Sequence, residues 1–107
     1  MIARIWHGYT NSRTADSYER LLKEEVFKSI KEKQVKGYLG IQLLKRVLDN
    51  EVEFTTIMRF ENLQSVKEFA GEDYVLAYVP DKARALLSRF DPTAVHCEII
   101  HELDYDL

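Results

Sequence analysis

Two rhythms of apolar and polar residues divide the chain. Ile2 to Tyr9 alternates and is rich in β-formers, the period of a strand whose side chains point to opposite faces in turn. The polar break Thr10-Asn11-Ser12 follows. From about Ala15 to Lys33 the apolar residues Tyr18, Leu21, Leu22, Val26 and Ile30 recur at helical spacing, and charged residues fill the remaining surface. Glu19/Lys23 and Glu24/Lys28 sit one turn apart in the favourable order, each pair adding roughly a few tenths of a kcal/mol. Lysines and then Gly37 predict the stop. Tyr38 to Leu48 and Val52 to Phe60 read as strands, joined by a hairpin turn at Asp49-Asn50-Glu51. Asn62 or Ser65 can cap a further helix carrying Leu63, Val66 and Phe69. Gly71 interrupts it, and a helical stretch is predicted to resume through Tyr74, Ala77 and Tyr78. Pro80 suits the first turn of another segment, with Ala83, Leu86 and Leu87 facing inward. Asp91-Pro92 breaks the chain before a last strand predicted over Val95 to Leu103.

The order β-α-β-β-α-β folds most simply as a ferredoxin-like α+β sandwich over residues 1–107, one domain. Right-handed crossovers put both helical layers on one face of an antiparallel sheet. The other face is then bare, and its pattern is informative. Leu39, Ile41, Leu43 and Val47 make one apolar face of the second strand, yet Tyr38 and Leu44 stand on the other. In the last strand Val95, Cys97 and Ile99 oppose His96, Glu98 and Ile100. A sheet wetted on one side is more cleanly polar there. The pattern therefore predicts a homodimer packed sheet to sheet.

Composition narrows the function classes. With 46% hydrophobic and 31% charged residues, the 107-residue chain can bury a core and stay in solution. A net charge of -3, with lysines and arginines interleaved among acids, argues against a nucleic-acid partner. No apolar run approaches the ~20 residues of a spanning helix, and the start Met-Ile-Ala-Arg-Ile-Trp-His lacks a signal pattern. The single Cys97 excludes an internal disulfide and a multi-cysteine zinc site. A cytoplasmic protein without a membrane partner is expected.

Several residues could carry chemistry. The three histidines invite a metal, but His96 and Glu98, about 6–7 Å apart on one strand face, have no evident third ligand, so no metal is predicted. Cys97 reads as a small buried core thiol, because His96 points to the opposite face and His101 is on the order of 13 Å along the strand. Arg4 and Trp6 share a face of the first strand, His96 and Glu98 a face of the last, and these strands are neighbours in the ferredoxin-like order. An Arg4–Glu98 pair there would orient His96 or shift its pKa, or simply fix dimer register. On the second helical layer Phe69, Tyr74 and Tyr78 stand beside Asp73. Such a stripe is commonly core, yet a helix broken at Gly71 over a sheet leaves a crevice, and an apolar cleft with few polar groups is the usual form of a small-molecule site. His7 is expected to project toward that crevice, and the dimer partner to cover the Arg4/Trp6/His96/Glu98 face. No phosphate-cradling loop, Ser-His-Asp pattern or flavin fingerprint is present.

Met-Ile-Ala-Arg-Ile-Trp-His-Gly at 1–8, Gly37-Tyr38-Leu39-Gly40, Glu53-Phe54-Thr55-Thr56, Phe69-Ala70-Gly71-Glu72-Asp73 and Val95-His96-Cys97-Glu98, in that order and spacing, resemble the antibiotic biosynthesis monooxygenase family. The resemblance implies a dimeric α+β barrel of two ferredoxin-like protomers. It further implies a cofactor-independent oxidation of a small aromatic or quinol-type substrate by dioxygen, in a dry pocket with a base. On that reading His7, His96 and Arg4 are the candidate catalytic residues, and Trp6, Phe69, Tyr74 and Tyr78 the candidate substrate-binding ones. Haem-degrading members use an Asn on the first strand and a Trp and His on the second helical layer. Here the Trp position falls on Phe69, the His position on Val79, and the Asn region holds Trp6-His7, so haem degradation is not expected. A non-catalytic dimeric module binding a small ligand, or with a stress-related role, is the alternative.

Overall fold

The computed structural model describes residues 1–105. Strand β1 (Ile2–Thr10) is followed by a helical layer made of α1 (Ala15–Leu21), a π-helical segment (Leu22–Val26) and α2 (Phe27–Glu32). Strands β2 (Tyr38–Val47) and β3 (Val52–Phe60) come next, then α3 (Leu63–Ala70), α4 (Asp81–Leu86), β4 (Arg89–Phe90) and β5 (Val95–Glu98). The strands form one antiparallel sheet in the order β2-β3-β1, with β4 and β5 sharing the far edge of β1. This is the ferredoxin-like arrangement expected from the element order.

Cross-strand register fixes the faces, because paired residues point the same way. Ile2, Arg4, Trp6 and Gly8 pair with Phe60, Met58, Thr56 and Phe54. Phe54, Met58 and Phe60 are buried under the helices, so this is the helix-covered face. Ala3, Ile5, His7 and Tyr9 point to the open face, with Arg59, Ile57, Thr55 and Glu53. The expected assignment of β1 is thereby reversed: Arg4 and Trp6 lie under the helices, and His7 lies outside. In β2 a bulge between Tyr38 and Gly40 shifts the register, so Tyr38 joins Ile41, Leu43 and Val47 on the helix side instead of opposing them.

The core has two parts. Tyr18, Leu21, Leu22, Val52, Phe54 and Ala83 pack beneath α1 and α4, and Ile30, Met58, Phe60 and Val66 beneath α2 and α3. Asn62 caps α3 by accepting from the Ser65 amide at 2.9 Å. Pro80 precedes α4, as its fixed φ suits.

Two predicted segments differ. Residues 72–80 do not resume a helix. Gly71, at φ 88°, ends α3, and the segment instead bridges Leu76 to Thr93, with the Ala77 amide on the Pro92 carbonyl and the Ala94 amide on Val75. The last strand ends at Glu98 rather than Leu103, and the short β4 was not anticipated. Pro92, which has no amide hydrogen, separates the two edge pieces. Cys97 is exposed on the open face beside Ala3, not a core thiol.

Candidate active site

The helical layer and the sheet enclose a cavity of about 70 Å³, with Arg4, Trp6, Met58, Phe69, Tyr78 and Tyr18 in its wall. The helix wall is built by a row four residues apart: Tyr18, Leu22, Val26 and Ile30. Each four-residue step overshoots an α-helical turn by about 40°, so the row would drift off the cavity in a regular helix. The π-helical turn at Leu22–Val26 absorbs the excess and keeps all four side chains on it. Such turns are frequent at functional sites.

Arg4 is the one strongly charged group in this wall, and only 4% of it is exposed. No carboxylate among the described residues pairs with it. Its Nη1 donates to the Tyr74 carbonyl and lies 2.9 Å from His96 Nε2. Its Nη2 donates to the Leu76 carbonyl at 3.1 Å. Those two carbonyls are free to accept because residues 72–80 are not helical. A guanidinium can only donate, so His96 Nε2 carries the lone pair and Nδ1 the proton. Phe69 presents its ring to the same guanidinium, 5.7 Å from the centroid. Burial lowers the Arg4 pKa, and burial together with the Arg4 charge lowers that of His96.

The sequence-derived candidates are thus divided. Arg4, Trp6, Phe69 and Tyr78 meet at the cavity. His96 stands behind Arg4, with Tyr74 edge-on to its ring at 5.2 Å; Tyr74 reaches the site through its carbonyl, not by lining it. Glu98 is exposed and forms no ion pair with Arg4; it stands across from Ile2. His7 is on the other face, its Nδ1 2.8 Å from Asp91 Oδ2, and cannot serve as a base in the helix-side cavity. Val79 lines the wall beside Tyr78. Tyr18 was read only as helix core. It is 1% exposed, lines the cavity, and its hydroxyl has no hydrogen-bond partner among the described residues. Burial pushes its pKa far up, so the hydroxyl keeps its proton and is available to donate. A tyrosine in an otherwise aliphatic row was the available signal. Among the described residues no three His, Cys, Asp or Glu side chains converge as metal ligands, and no helix is long and apolar enough to cross a membrane.

The architecture defines a class: a single ferredoxin-like α+β protomer with a cavity between its helical layer and its sheet. No family model and no curated protein matches the sequence. Solved structures do match, over nearly the whole chain, and they include members of the antibiotic biosynthesis monooxygenase family. A variant of MhuD with two manganese protoporphyrin IX molecules per active site superposes with a TM-score of 0.70 at 15% identity, covering 98% of this chain and 100% of that one. A Bacillus cereus protein described as an antibiotic biosynthesis monooxygenase gives 0.64 at 14% identity, with 97% of each chain covered. The ActVA-Orf6 monooxygenase of Streptomyces coelicolor, in complex with nanaomycin D, gives 0.60 at 15%, covering 98% of this chain and 92% of that one. At these identities the likeness establishes the fold that those proteins share.

Proposed function

We propose that this protein is a cofactor-independent, monooxygenase-like enzyme that oxidises a small aromatic or quinol-type substrate with dioxygen, acting as a homodimer. The observation that carries this reading is the cavity itself. It is narrow, largely apolar and walled by Trp6, Phe69 and Tyr78, beneath a π-helical turn, on a fold shared with the ActVA-Orf6 monooxygenase in its complex with nanaomycin D. An activated ring CH2 gives up one proton to solvent, and the resulting carbanion passes an electron to dioxygen. Recombination forms a carbon–oxygen bond as a hydroperoxide. Loss of water leaves the carbonyl, so one oxygen atom enters the product, the other leaves in water, and the substrate supplies the electrons. The protein contributes exclusion of bulk water and fixed orientation of the ring.

Haem as the working group fits the wall poorly. The lining has no imidazole among the described residues, and Val79, which lines it, holds the position where the family resemblance puts the histidine of haem-degrading members. A non-catalytic ligand-binding module is the second reading. It is favoured by the absence of any imidazole or carboxylate from the lining among the described residues. Oxygen uptake by the purified protein across a panel of hydroquinones and anthrones separates the two. Uptake above the spontaneous rate, with carbonyl product, supports the enzyme; spontaneous rates throughout leave the binding module.

A further inference from the structure

The polar groups of the cavity are matched to one ligand chemistry. Arg4 offers five N–H donors. Nη1 spends both of its hydrogens on Tyr74 and His96, and Nη2 spends one on Leu76. The Nε hydrogen and the second Nη2 hydrogen have no acceptor among the described residues, and the side chain forms part of the cavity wall. Neither the carbonyls nor the neutral imidazole carries a countercharge. A buried guanidinium left in that state is costly, and the cost is relieved by an anion placed against the free edge of the fork. The rest of the wall is aromatic and aliphatic apart from the Tyr18 and Thr56 hydroxyls, each able to donate or accept. The one charged group of the wall is therefore a cation with unused donors, set in a largely apolar slot.

We infer that the cavity binds its small aromatic ligand as an anion, with an ionised oxygen on the ring, a phenolate or a carboxylate, paired to Arg4. His96 is a positioning residue in this arrangement. Its lone pair holds Nη1, and Tyr74 packed on its ring holds the imidazole, which fixes the guanidinium in the cavity wall with its two unused N–H groups still to be paired. The inference rests on the cavity being the ligand site, but it does not require turnover.

The test uses the wild-type protein and two probes, 4-nitrophenol and its neutral methyl ether, 4-nitroanisole. Trp6, the single tryptophan, lines the cavity, so its fluorescence reports occupancy by either. The absorbance of 4-nitrophenol reports its ionisation. An apolar cavity alone raises the pKa of a bound phenol, whereas a usable guanidinium lowers it, so the two cases differ in sign. The expected result is a bound pKa below the free value, with the phenolate favoured over the anisole by on the order of tenfold, a worth typical of one charge-assisted contact. The preference is lost in Arg4→Met, is partly kept in Arg4→Lys, and is weaker in His96→Phe than in His96→Gln. A benzoate and benzamide pair then shows whether a carboxylate is taken as well. A bound pKa raised above the free value, equal affinity for the anisole, or no Trp6 response to either probe overturns the inference, and all three are read without any variant. Phenolate selection without oxygen uptake would keep the anion site and remove the oxygenase. Uptake without phenolate selection would do the reverse.

Discussion

His96 is kept neutral by its burial and by the Arg4 guanidinium against Nε2. A histidine pKa below its ordinary value means that the unfolded chain takes up the proton first as pH falls. The stabilising contribution is therefore complete above the unfolded pKa of about 6.5 and is lost as pH drops toward the lower folded value. Urea midpoints should fall between about pH 7.5 and about pH 5.5, and the fall should be smaller in His96→Gln. Equal slopes in the two proteins would show that another group governs this range. Sequence brought Arg4 and His96 together correctly, because strand period and strand order are both legible. The face they occupy was not. Alternation states which residues share a face but not which face meets the helices, and an arginine reads as outward unless its acceptors are visible. Here the acceptors are the Tyr74 and Leu76 carbonyls, in a segment that sequence read as helix.

Between elements, the chain deviates from regular geometry where contacts demand it. The spacing Tyr18-Leu22-Val26-Ile30 was read as helical, and the π turn that reconciles it with one straight row lies beyond a 3.6-residue pattern. The β2 bulge likewise moved Tyr38 across the sheet, a one-residue change that period-2 reading cannot see. Gly37 and Gly71 show how such joints can be told apart by experiment. Both have φ well into the left-handed half, 84° and 88°. A Cβ at Gly71 meets nothing within 4 Å, whereas one at Gly37 falls 2.0 Å from Ser65 Oγ, in the first turn of α3. Gly71→Ala should cost only backbone strain, about 1–3 kcal/mol. Gly37→Ala must also push α3 away from the turn before β2, so its loss should exceed that of Gly71→Ala in urea unfolding. Equal losses would mean that α3 gives way freely. Regular strands needed no such device: β3 runs over Val52–Phe60, just as its alternation indicates.

At the scale of the whole molecule, the protomer leaves one face of its sheet to be covered. Ile5 and Ile57 sit side by side there with Val95 at the edge, and Leu44 stands further across. Leu44 is 45% exposed and Val95 58%. On this face Arg46 pairs with Glu53 and His7 hydrogen-bonds to Asp91 within the protomer, so a second copy could cover those groups without isolating them, whereas Arg59 has no ion-pair partner among the described residues. Beyond β5 the chain carries Ile100, Leu103 and Tyr105 on its surface, apolar area that one copy cannot bury. The proposed homodimer would join two open faces about a twofold axis. Light scattering at micromolar concentration should then return twice the protomer mass. Leu44→Glu with Val95→Glu places like charges across that axis, at positions already wet in the protomer, where folding should be little affected. The doubly substituted chain should return the single mass with its circular dichroism unchanged. A wild-type monomer, or a substituted dimer, would sink the proposed arrangement. Because Arg4 and the cavity lie on the helix side, the same monomeric variant should still select 4-nitrophenolate over 4-nitroanisole. Loss of that selection on dissociation would mean that the partner shapes the cavity from across the sheet.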